Sequence, residues 1–208
     1  SPQLLKLVVD VTDAAAVERA VEQTEAQLGP IFRVTNAAAI MPLGLLLEQP
    51  RDLIHKIMAI NYGGLVNVAT SVLPRMLARG QGEFVSFTSM AGHWPIIYMG
   101  AYNASKFAAV AFTEVLYHEN RNRGVNFVCV CPPTVHTPLL NQAKDTVWPK
   151  VLDLAPIIRP EQVLDRLERS LERGECWSFP GPLTRLVWIL HRLIPGLLWR
   201  VVHKVEGK

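Results

Sequence analysis

The sequence predicts an α/β fold with a doubly wound parallel β-sheet and helices on both of its faces. Two observations lead to this prediction. Short apolar segments alternate with longer segments of helical periodicity along most of the chain, and such alternation favours parallel strands joined by helical crossovers. The chain also has 208 residues, of which half are apolar and only 19% are charged. This composition suits one domain with a buried sheet.

The first third of the chain contains two predicted strands and three predicted helices. Residues 4–9 form an apolar run that predicts a strand. A helix should follow, because Thr12 or Asp13 can cap its N-terminus and Gly29 can end it. Residues 31–37 predict the next strand. Pro50 can occupy the first turn of a helix that reaches about residue 60, and a longer helix is predicted over residues 62–78.

The alternation continues to about residue 180. Residues 84–88 and 125–131 predict strands, and between them a helix begins near Tyr102 and ends near residue 122. Pro160 can open a helix that reaches residue 171, and residues 176–179 predict a last short strand. We therefore expect residues 1–180 to form one partial α/β domain, with no repeat or linker inside it.

Residues 181–208 predict an amphipathic helical tail. Apolar residues, among them Trp188 and Trp199, alternate with basic ones, and Pro195-Gly196 divides the segment into two short helices. Arg192 and Arg200 interrupt the apolar runs, so no run is long enough to span a bilayer. Tryptophan beside basic side chains suits a peripheral contact with a membrane. Packing against another subunit, or over a substrate cleft, explains the pattern equally well.

A tyrosine and a lysine in the predicted central helix suggest acid–base chemistry. Tyr102 and Lys106 are four residues apart, which is about one helical turn, so both side chains project from one face. A phenol ordinarily ionises near pH ~10, and a neighbouring ammonium lowers that pKa. Ser89 ends a predicted strand thirteen residues before Tyr102, and Asn61 lies further upstream.

The order and spacing of these four residues resemble the short-chain dehydrogenase/reductase family. The resemblance covers the chain to about residue 180 and implies a Rossmann-like domain that binds NAD or NADP and acts on a small-molecule alcohol or carbonyl substrate. The segments 90–99 and 138–158 are rich in Trp, Ile, Leu and Val, which favours an apolar substrate. The family also implies a homo-oligomer built on the helices that follow Asn61 and carry Tyr102.

The resemblance assigns a role to each of the four residues. Tyr102 is the general acid that protonates the substrate oxygen, and Lys106 lowers the Tyr102 pKa and binds the nicotinamide ribose. Ser89 hydrogen-bonds the developing oxyanion. Asn61 bends its helix and holds a relay water. The alternatives are a packed tyrosine, a solvated lysine and an ordinary asparagine inside a helix.

Three further segments match positions of the family that contact the cofactor. Asp10, with its neighbour Val11, corresponds to an acidic residue that binds the adenine amino group, although an aspartate that only caps the next turn would look the same. Asn36-Ala37-Ala38 departs from the family's N-N-A because Ala37 replaces its second asparagine, and Ala39 replaces the glycine that follows. The nicotinamide turn matches at Pro132, Val135 and Thr137, whereas Pro133, which has no N–H, replaces the family's glycine.

A glycine-rich turn of the form T-G-x-x-x-G-x-G, which holds the cofactor pyrophosphate in the family, does not occur in these 208 residues. We expect it to precede Ser1 in an N-terminally truncated chain. The alternative to an oxidoreductase is therefore a cofactor-deficient, non-catalytic remnant that acts as an interaction or membrane-surface module. The same gap leaves the choice between NAD and NADP open.

Charge and cysteine content narrow the remaining classes of function. The formal net charge is only +3 and is dispersed, which argues against a nucleic-acid partner. The three cysteines are odd in number, and Cys129 and Cys131 alternate on a predicted strand so that they share a face. We expect them to be small core residues, without a metal or disulfide role, in a cytoplasmic protein that can also associate with a membrane.

Overall fold

The computed structural model describes residues 3–144 and 146–208, and it has an α/β fold built on a parallel four-stranded sheet. The strand order is β1-β2-β3-β4, so the reversal of strand order in doubly wound sheets does not occur among the described residues. The strands are β1 (Arg33–Asn36), β2 (Gly82–Phe87), β3 (Val125–Val130) and β4 (Trp177–Ser178). These strands confirm the predicted α/β class.

Eight α-helices connect and flank the described strands. A π-helical turn, Ala59–Gly63, joins α2 to α3, and two short 3₁₀ turns occur at Met90–Gly92 and Lys150–Leu154. The helices are α1 (Ala14–Leu28), α2 (Arg51–Met58), α3 (Gly64–Arg79), α4 (Gly100–Glu119), α5 (Pro138–Lys144), α6 (Pro160–Glu172), α7 (Thr184–Leu193) and α8 (Pro195–Glu206). Asp13 caps α1 by accepting a hydrogen bond from Ala16, and Gly29 ends this helix.

The sheet is covered by helices on both faces. Phe84 pairs with Phe127 in the β2–β3 register, and the next pair along the strands is Val85 with Val128. Successive residues of a strand point to opposite faces, so the two phenylalanines pack against α1, α3 and α4, whereas the two valines pack against α6. The carboxyl ends of β2 and β3 therefore meet between two helical layers, where the candidate site lies.

The prediction of a strand over residues 4–9 is wrong. These residues form neither strand nor helix, and Val8 is fully exposed. A strand exists only where a neighbour pairs with its backbone, and β1 pairs with β2 alone among the described strands. Asp10 ends the segment by accepting hydrogen bonds from the backbone N–H and the hydroxyl of Thr12, a turn that leads into α1.

The continuous helical stretch Arg51–Arg79 is long and apolar enough to cross a membrane, with a mean hydropathy of 1.2 over its most apolar window. In this structure the stretch is part of the hydrophobic core, because Leu65, Val72 and Met76 are buried against the sheet. Helices of the hydrophobic core and helices that span a membrane can share this length and composition.

The predicted tail forms two helices that break at Ile194, as expected from Pro195-Gly196. Helix α8 packs onto the domain, because Val202 is completely buried beside Leu140 and Tyr102, and the Glu206 carboxylate accepts a hydrogen bond of 2.9 Å from the Val151 backbone N–H. For α8, the structure therefore favours packing over the cleft.

Candidate active site

Ser89 and the Tyr102 helix are brought together by a close approach of two backbones. Ser89 follows β2 and caps the 3₁₀ turn, since its Oγ accepts a hydrogen bond of 3.0 Å from the Ala91 N–H. Gly92 ends this turn against α4. A Cβ at Gly92 would lie 2.6 Å from the Lys106 carbonyl oxygen, so only glycine permits this contact. The turn therefore holds Ser89 beside the first turns of α4.

Lys106 is a buried ammonium at the centre of the site. Its side chain is 3% exposed, and its Nζ donates a hydrogen bond of 2.9 Å to the Phe87 carbonyl oxygen at the end of β2. Burial lowers the pKa of Lys106 to about 8, although the nearby thiols of Cys129 and Cys131 oppose this. The group is still mostly protonated at neutral pH, and it retains N–H bonds for a further acceptor.

Tyr102 is buried as well, and its pKa differs from the sequence-based expectation. The expected lowering by Lys106 is wrong for this structure, because burial raises the pKa of Tyr102 to about 12 and only hydrogen bonding to Ser89 opposes it. Desolvation raises the free energy of the phenolate by more than the hydrogen bond to Ser89 lowers it. The Lys106 Nζ lies 5.7 Å from the centre of the Tyr102 ring and is hydrogen-bonded to Phe87. Tyr102 is therefore a neutral phenol at pH 7.

Asn61 lies in the π-helical turn that joins α2 to α3. Its Oδ1 accepts a hydrogen bond of 2.8 Å from the Ile40 N–H, and its Nδ2 donates to the Ile40 carbonyl and to the Ser105 hydroxyl, both at 3.0 Å. Asn61 thus ties the loop after β1 to the Tyr102 helix. Such turns are frequent at functional sites. The role of Asn61 in holding a relay water stays a prediction.

A largely apolar cavity of about 490 Å³ adjoins these groups. Ser89, Tyr102 and Lys106 contribute to its wall, whereas Asn61 lies behind it. Of the residues predicted to bind the cofactor, the following also line it: Ala37, Pro132, Val135 and Thr137. Its apolar wall comes from the loop after β1, from the 3₁₀ turns and from helices α5, α6 and α7.

The other predicted cofactor residues lie outside the cavity wall. Asn36 is buried at the end of β1, and Ala38 is half-buried in the loop that follows. The Asp10 carboxylate accepts two hydrogen bonds from Thr12, and these lower the pKa of Asp10. Val11 packs on α3, where a Cβ at Gly64 would lie 2.6 Å from its Cγ2. The contacts proposed for these residues with adenosine stay predictions.

The turn after β3 is held by a residue that the sequence did not single out. Ile158 pairs with this turn on both sides, since its N–H donates to the Thr134 carbonyl and its carbonyl accepts from the His136 N–H, each at 3.0 Å. The Pro132 carbonyl accepts a hydrogen bond of 3.0 Å from the Met90 N–H. Pro133 is accommodated without an N–H of its own. No local sequence signal marks Ile158, because its partners are distant in the chain.

Several buried side chains that carry sulfur, hydroxyl or imidazole groups lie behind the site. The three cysteines are buried, as predicted, and they are free; the Cys129 sulfur on β3 lies 3.8 Å from the sulfur of Cys131, which directly follows the strand. Thr88 donates a hydrogen bond of 2.7 Å to the Val130 carbonyl between them. His93 Nε2 lies 3.4 Å from the Cys131 sulfur, and burial lowers the pKa of His93 to about 4. Within the described part of the chain, no cluster of His, Cys, Asp and Glu could hold a metal ion.

Comparison with known proteins agrees with this geometry. The family model for short chain dehydrogenases matches residues 1–148, which is more than half of the chain. The chain belongs to the short chain dehydrogenase family. The match includes Asn61, Ser89, Tyr102 and Lys106, so the family resemblance noted in the sequence is confirmed.

Two curated short chain dehydrogenase relatives illustrate the similarity. The chain is 28% identical over 204 residues to 17-beta-hydroxysteroid dehydrogenase 13 of Rattus norvegicus, which covers 96% of this chain and 65% of the relative. It is 30% identical over 182 residues to 3-ketodihydrosphingosine reductase of Mus musculus, which covers 86% of this chain and 55% of the relative. This short chain dehydrogenase therefore spans between about half and two thirds of the length of these relatives.

Solved structures of short chain dehydrogenases share the fold. A short chain dehydrogenase from Burkholderia cenocepacia in complex with NADP superposes with a TM-score of 0.81 at 20% identity, covering 97% of this chain and 79% of that one. A short chain dehydrogenase/reductase from Burkholderia phymatum in complex with NAD gives a TM-score of 0.81 at 22% identity, covering 93% and 76%. At these identities the similarity establishes the fold alone.

Proposed function

We propose that this short chain dehydrogenase is an oxidoreductase that uses NAD or NADP to interconvert an apolar alcohol and its carbonyl compound. One observation carries the proposal. Ser89, Tyr102 and Lys106 lie side by side on the wall of a single, largely apolar cavity, although they come from two different elements. Titratable groups with strongly perturbed pKa values in such a cavity are typical of catalytic sites.

The protonation state of Tyr102 suits the step in which a substrate oxygen is protonated. Tyr102 holds its proton because its pKa is raised to about 12, so at neutral pH it can donate that proton to a substrate oxygen. Ser89 adjoins the Tyr102 hydroxyl and can donate a hydrogen bond to the same oxygen as negative charge develops on it. A nicotinamide cofactor, when bound, supplies or accepts the hydride.

Lys106 performs two tasks in this scheme. Its ammonium is anchored to the Phe87 carbonyl and lies 5.7 Å from the centre of the Tyr102 ring, a position from which its positive charge can act on the phenolate that forms during proton transfer. Its remaining N–H bonds can bind a cofactor hydroxyl. Ala37 and Thr137 in the adjoining wall are suitably placed to contact the same cofactor.

A second candidate function is a non-catalytic interaction module. The observation that favours it is that the 208 residues contain no glycine-rich turn for the cofactor pyrophosphate. The two candidates differ in whether this polypeptide binds a dinucleotide at all.

The replacement Tyr102→Phe tests the catalytic proposal. It removes only the proton donor, so turnover of long-chain ketones with NADPH or NADH should fall by ~10²–10⁴-fold. Tyr117→Phe, which removes a phenol outside the cavity, is the matched control. Undiminished turnover in Tyr102→Phe would refute the assignment. Absence of both turnover and dinucleotide binding in the unmodified chain would favour the interaction module.

We further propose a peripheral membrane contact through residues 181–208 of a homo-oligomeric, cytoplasmic protein. Exposed leucines and basic residues of α7 and α8 support the membrane contact, and the free buried cysteines support a reducing compartment. Flotation with vesicles of phosphatidylcholine and phosphatidylserine tests the contact. Equal recovery of the chain in the presence and absence of vesicles would refute it.

A further inference from the structure

The cavity reaches the protein surface at a rim of exposed apolar side chains. Leu164 of α6 and Leu183, which precedes α7, both line the cavity, yet they are 52% and 48% exposed. Pro156 and Pro182 also line the cavity and are exposed. This end of the cavity therefore opens between the segment 155–164 and the start of α7, through an apolar rim.

Helix α7 continues this apolar rim along its outer side. Thr184, Val187 and Trp188 face inward, toward the cavity and the buried aromatic residues behind it. Leu186 follows Leu183 by three residues and Leu193 follows Leu186 by seven, which places them on one stripe of the helix. That stripe is exposed, with Leu193 at 72%. Helix α7 thus exposes an apolar stripe to water.

Exposed apolar side chains are concentrated in the part of the sequence that contains the mouth. Nine of the eighteen large exposed hydrophobic residues in the described part of the chain fall within residues 154–197, which is about a fifth of its length. Contiguous exposed apolar surface usually marks a binding surface for protein or membrane. A substrate that enters from water would not require an exposed apolar surface at the mouth.

The net charge of residues 181–208, which include α7, indicates the partner. The tail holds five basic residues, Arg185, Arg192, Arg200, Lys204 and Lys208, against the single acidic residue Glu206. Its formal charge of +4 exceeds the +3 of the entire chain, so the remainder is slightly acidic. Basic residues beside an apolar stripe complement the surface of an anionic bilayer. A second copy of this chain would bring like charges together.

We propose that the rim and the outer stripe of α7 dock on an anionic bilayer, so that the substrate enters the cavity directly from the membrane. The substrate class is then a membrane-dissolved ketone or secondary alcohol with a long apolar body. This inference rests on the proposed reaction and membrane contact, and it adds the route and the physical state of the substrate. An apolar body loses little on moving from lipid into an apolar cavity, whereas transfer through water exposes its whole surface.

The experiment uses the full chain and a photoreactive probe. A long-chain methyl ketone carrying a diazirine is dissolved in vesicles of phosphatidylcholine with phosphatidylserine, and cross-linked peptides are mapped after irradiation. We expect cross-links on cavity residues such as Leu152 and Leu164. The double variant Leu186→Gln/Leu193→Gln should bind vesicles about tenfold more weakly or worse and lose these cross-links correspondingly. Leu28→Gln, at a similarly exposed leucine of α1 (44%), should behave as the unmodified chain.

Delivery of the probe from detergent micelles shows whether the double variant loses cross-links because its cavity is damaged or because it no longer docks on the bilayer. The double variant should then be cross-linked as efficiently as the unmodified chain, because neither leucine lines the cavity. Cross-links confined to the tail, or undiminished cavity labelling from vesicles in the double variant, would overturn the proposal. So would burial of Leu186 and Leu193 in a stable dimer. Cavity labelling that persists in a chain without turnover would refute the proposed reaction and leave the route intact.

Discussion

Acidification should destabilise this protein through one buried imidazole, and the size of the effect follows from the structure. His93 is 9% exposed and is packed against the rings of Trp177, Phe179 and Trp188, with ring centres 5.3, 5.9 and 6.1 Å away. Burial lowers its pKa to about 4, and the positive charge of Arg192 adds to this. The folded chain therefore prefers the neutral imidazole.

The sign of the pH dependence follows from the depressed pKa. An unfolded histidine binds its proton near pH ~6.5, well above the pKa of about 4 in the folded protein. The contribution of His93 to stability is thus complete above pH ~6.5 and is lost as the pH falls toward 4. The interval between the two pKa values corresponds to about 3 kcal/mol at most, a large part of the stability of an ordinary domain.

Urea unfolding between pH 7 and pH 4 measures this contribution. Between pH 7 and pH 5 the unfolding free energy of the unmodified chain should fall by about 2 kcal/mol more than that of His93→Phe. This variant keeps an aromatic ring at position 93 but has no titratable nitrogen. His55→Gln, which removes an exposed histidine of α2, is the control and should follow the unmodified chain. Parallel pH dependence of the unmodified chain and His93→Phe would show that the imidazole is not held neutral.

Four further outcomes are expected. Gly92→Ala should cost about 1–3 kcal/mol of stability and reduce turnover, because its Cβ would lie 2.6 Å from the Lys106 carbonyl oxygen; unchanged thermal unfolding would refute this contact. Val202→Ala should cost about 2 kcal/mol in urea unfolding if α8 is part of the core, whereas Leu197→Ala at an exposed position should cost little. Isothermal titration of the 208-residue chain should show binding of NAD(H) and NADP(H) weaker than micromolar, and tight binding would mean that another segment replaces the glycine-rich turn. Sedimentation at micromolar concentration should show a dimer or tetramer, because Phe107 and Val115 expose apolar surface on α4; a clean monomer would contradict the homo-oligomer.

The acid–base pair could be assigned from the sequence, but its protonation could not. Tyr102 and Lys106 share a face because four residues make about one helical turn, which is a local property of the backbone. Their pKa values depend on residues far away in the chain: the segments that close the cavity bury both groups, and Cys129 and Cys131 oppose the lowering of the Lys106 pKa. The sequence therefore predicted a lowered pKa for Tyr102, and the buried site raises it.

The tail shows the same division between local pattern and packing. Its two helices and their break follow from apolar periodicity and from Pro195-Gly196. Periodicity cannot say which surface an apolar stripe will meet. Only the structure shows that Val202 is buried over the cleft, whereas Leu186 and Leu193 are left exposed beside its mouth.

Local sequence determined most of the helices, the cap of α1 and the places along the chain where β1 to β4 occur, because dihedral preferences, hydrophobic periodicity and capping act within a few residues. For this reason α1 begins after Asp13 and ends at Gly29. Tertiary structure decided whether residues 4–9 form a strand, how Ile158 holds the turn after β3, and where the cavity opens. Each of these depends on hydrogen-bond partners or burial supplied from distant parts of the chain, and no local pattern records them.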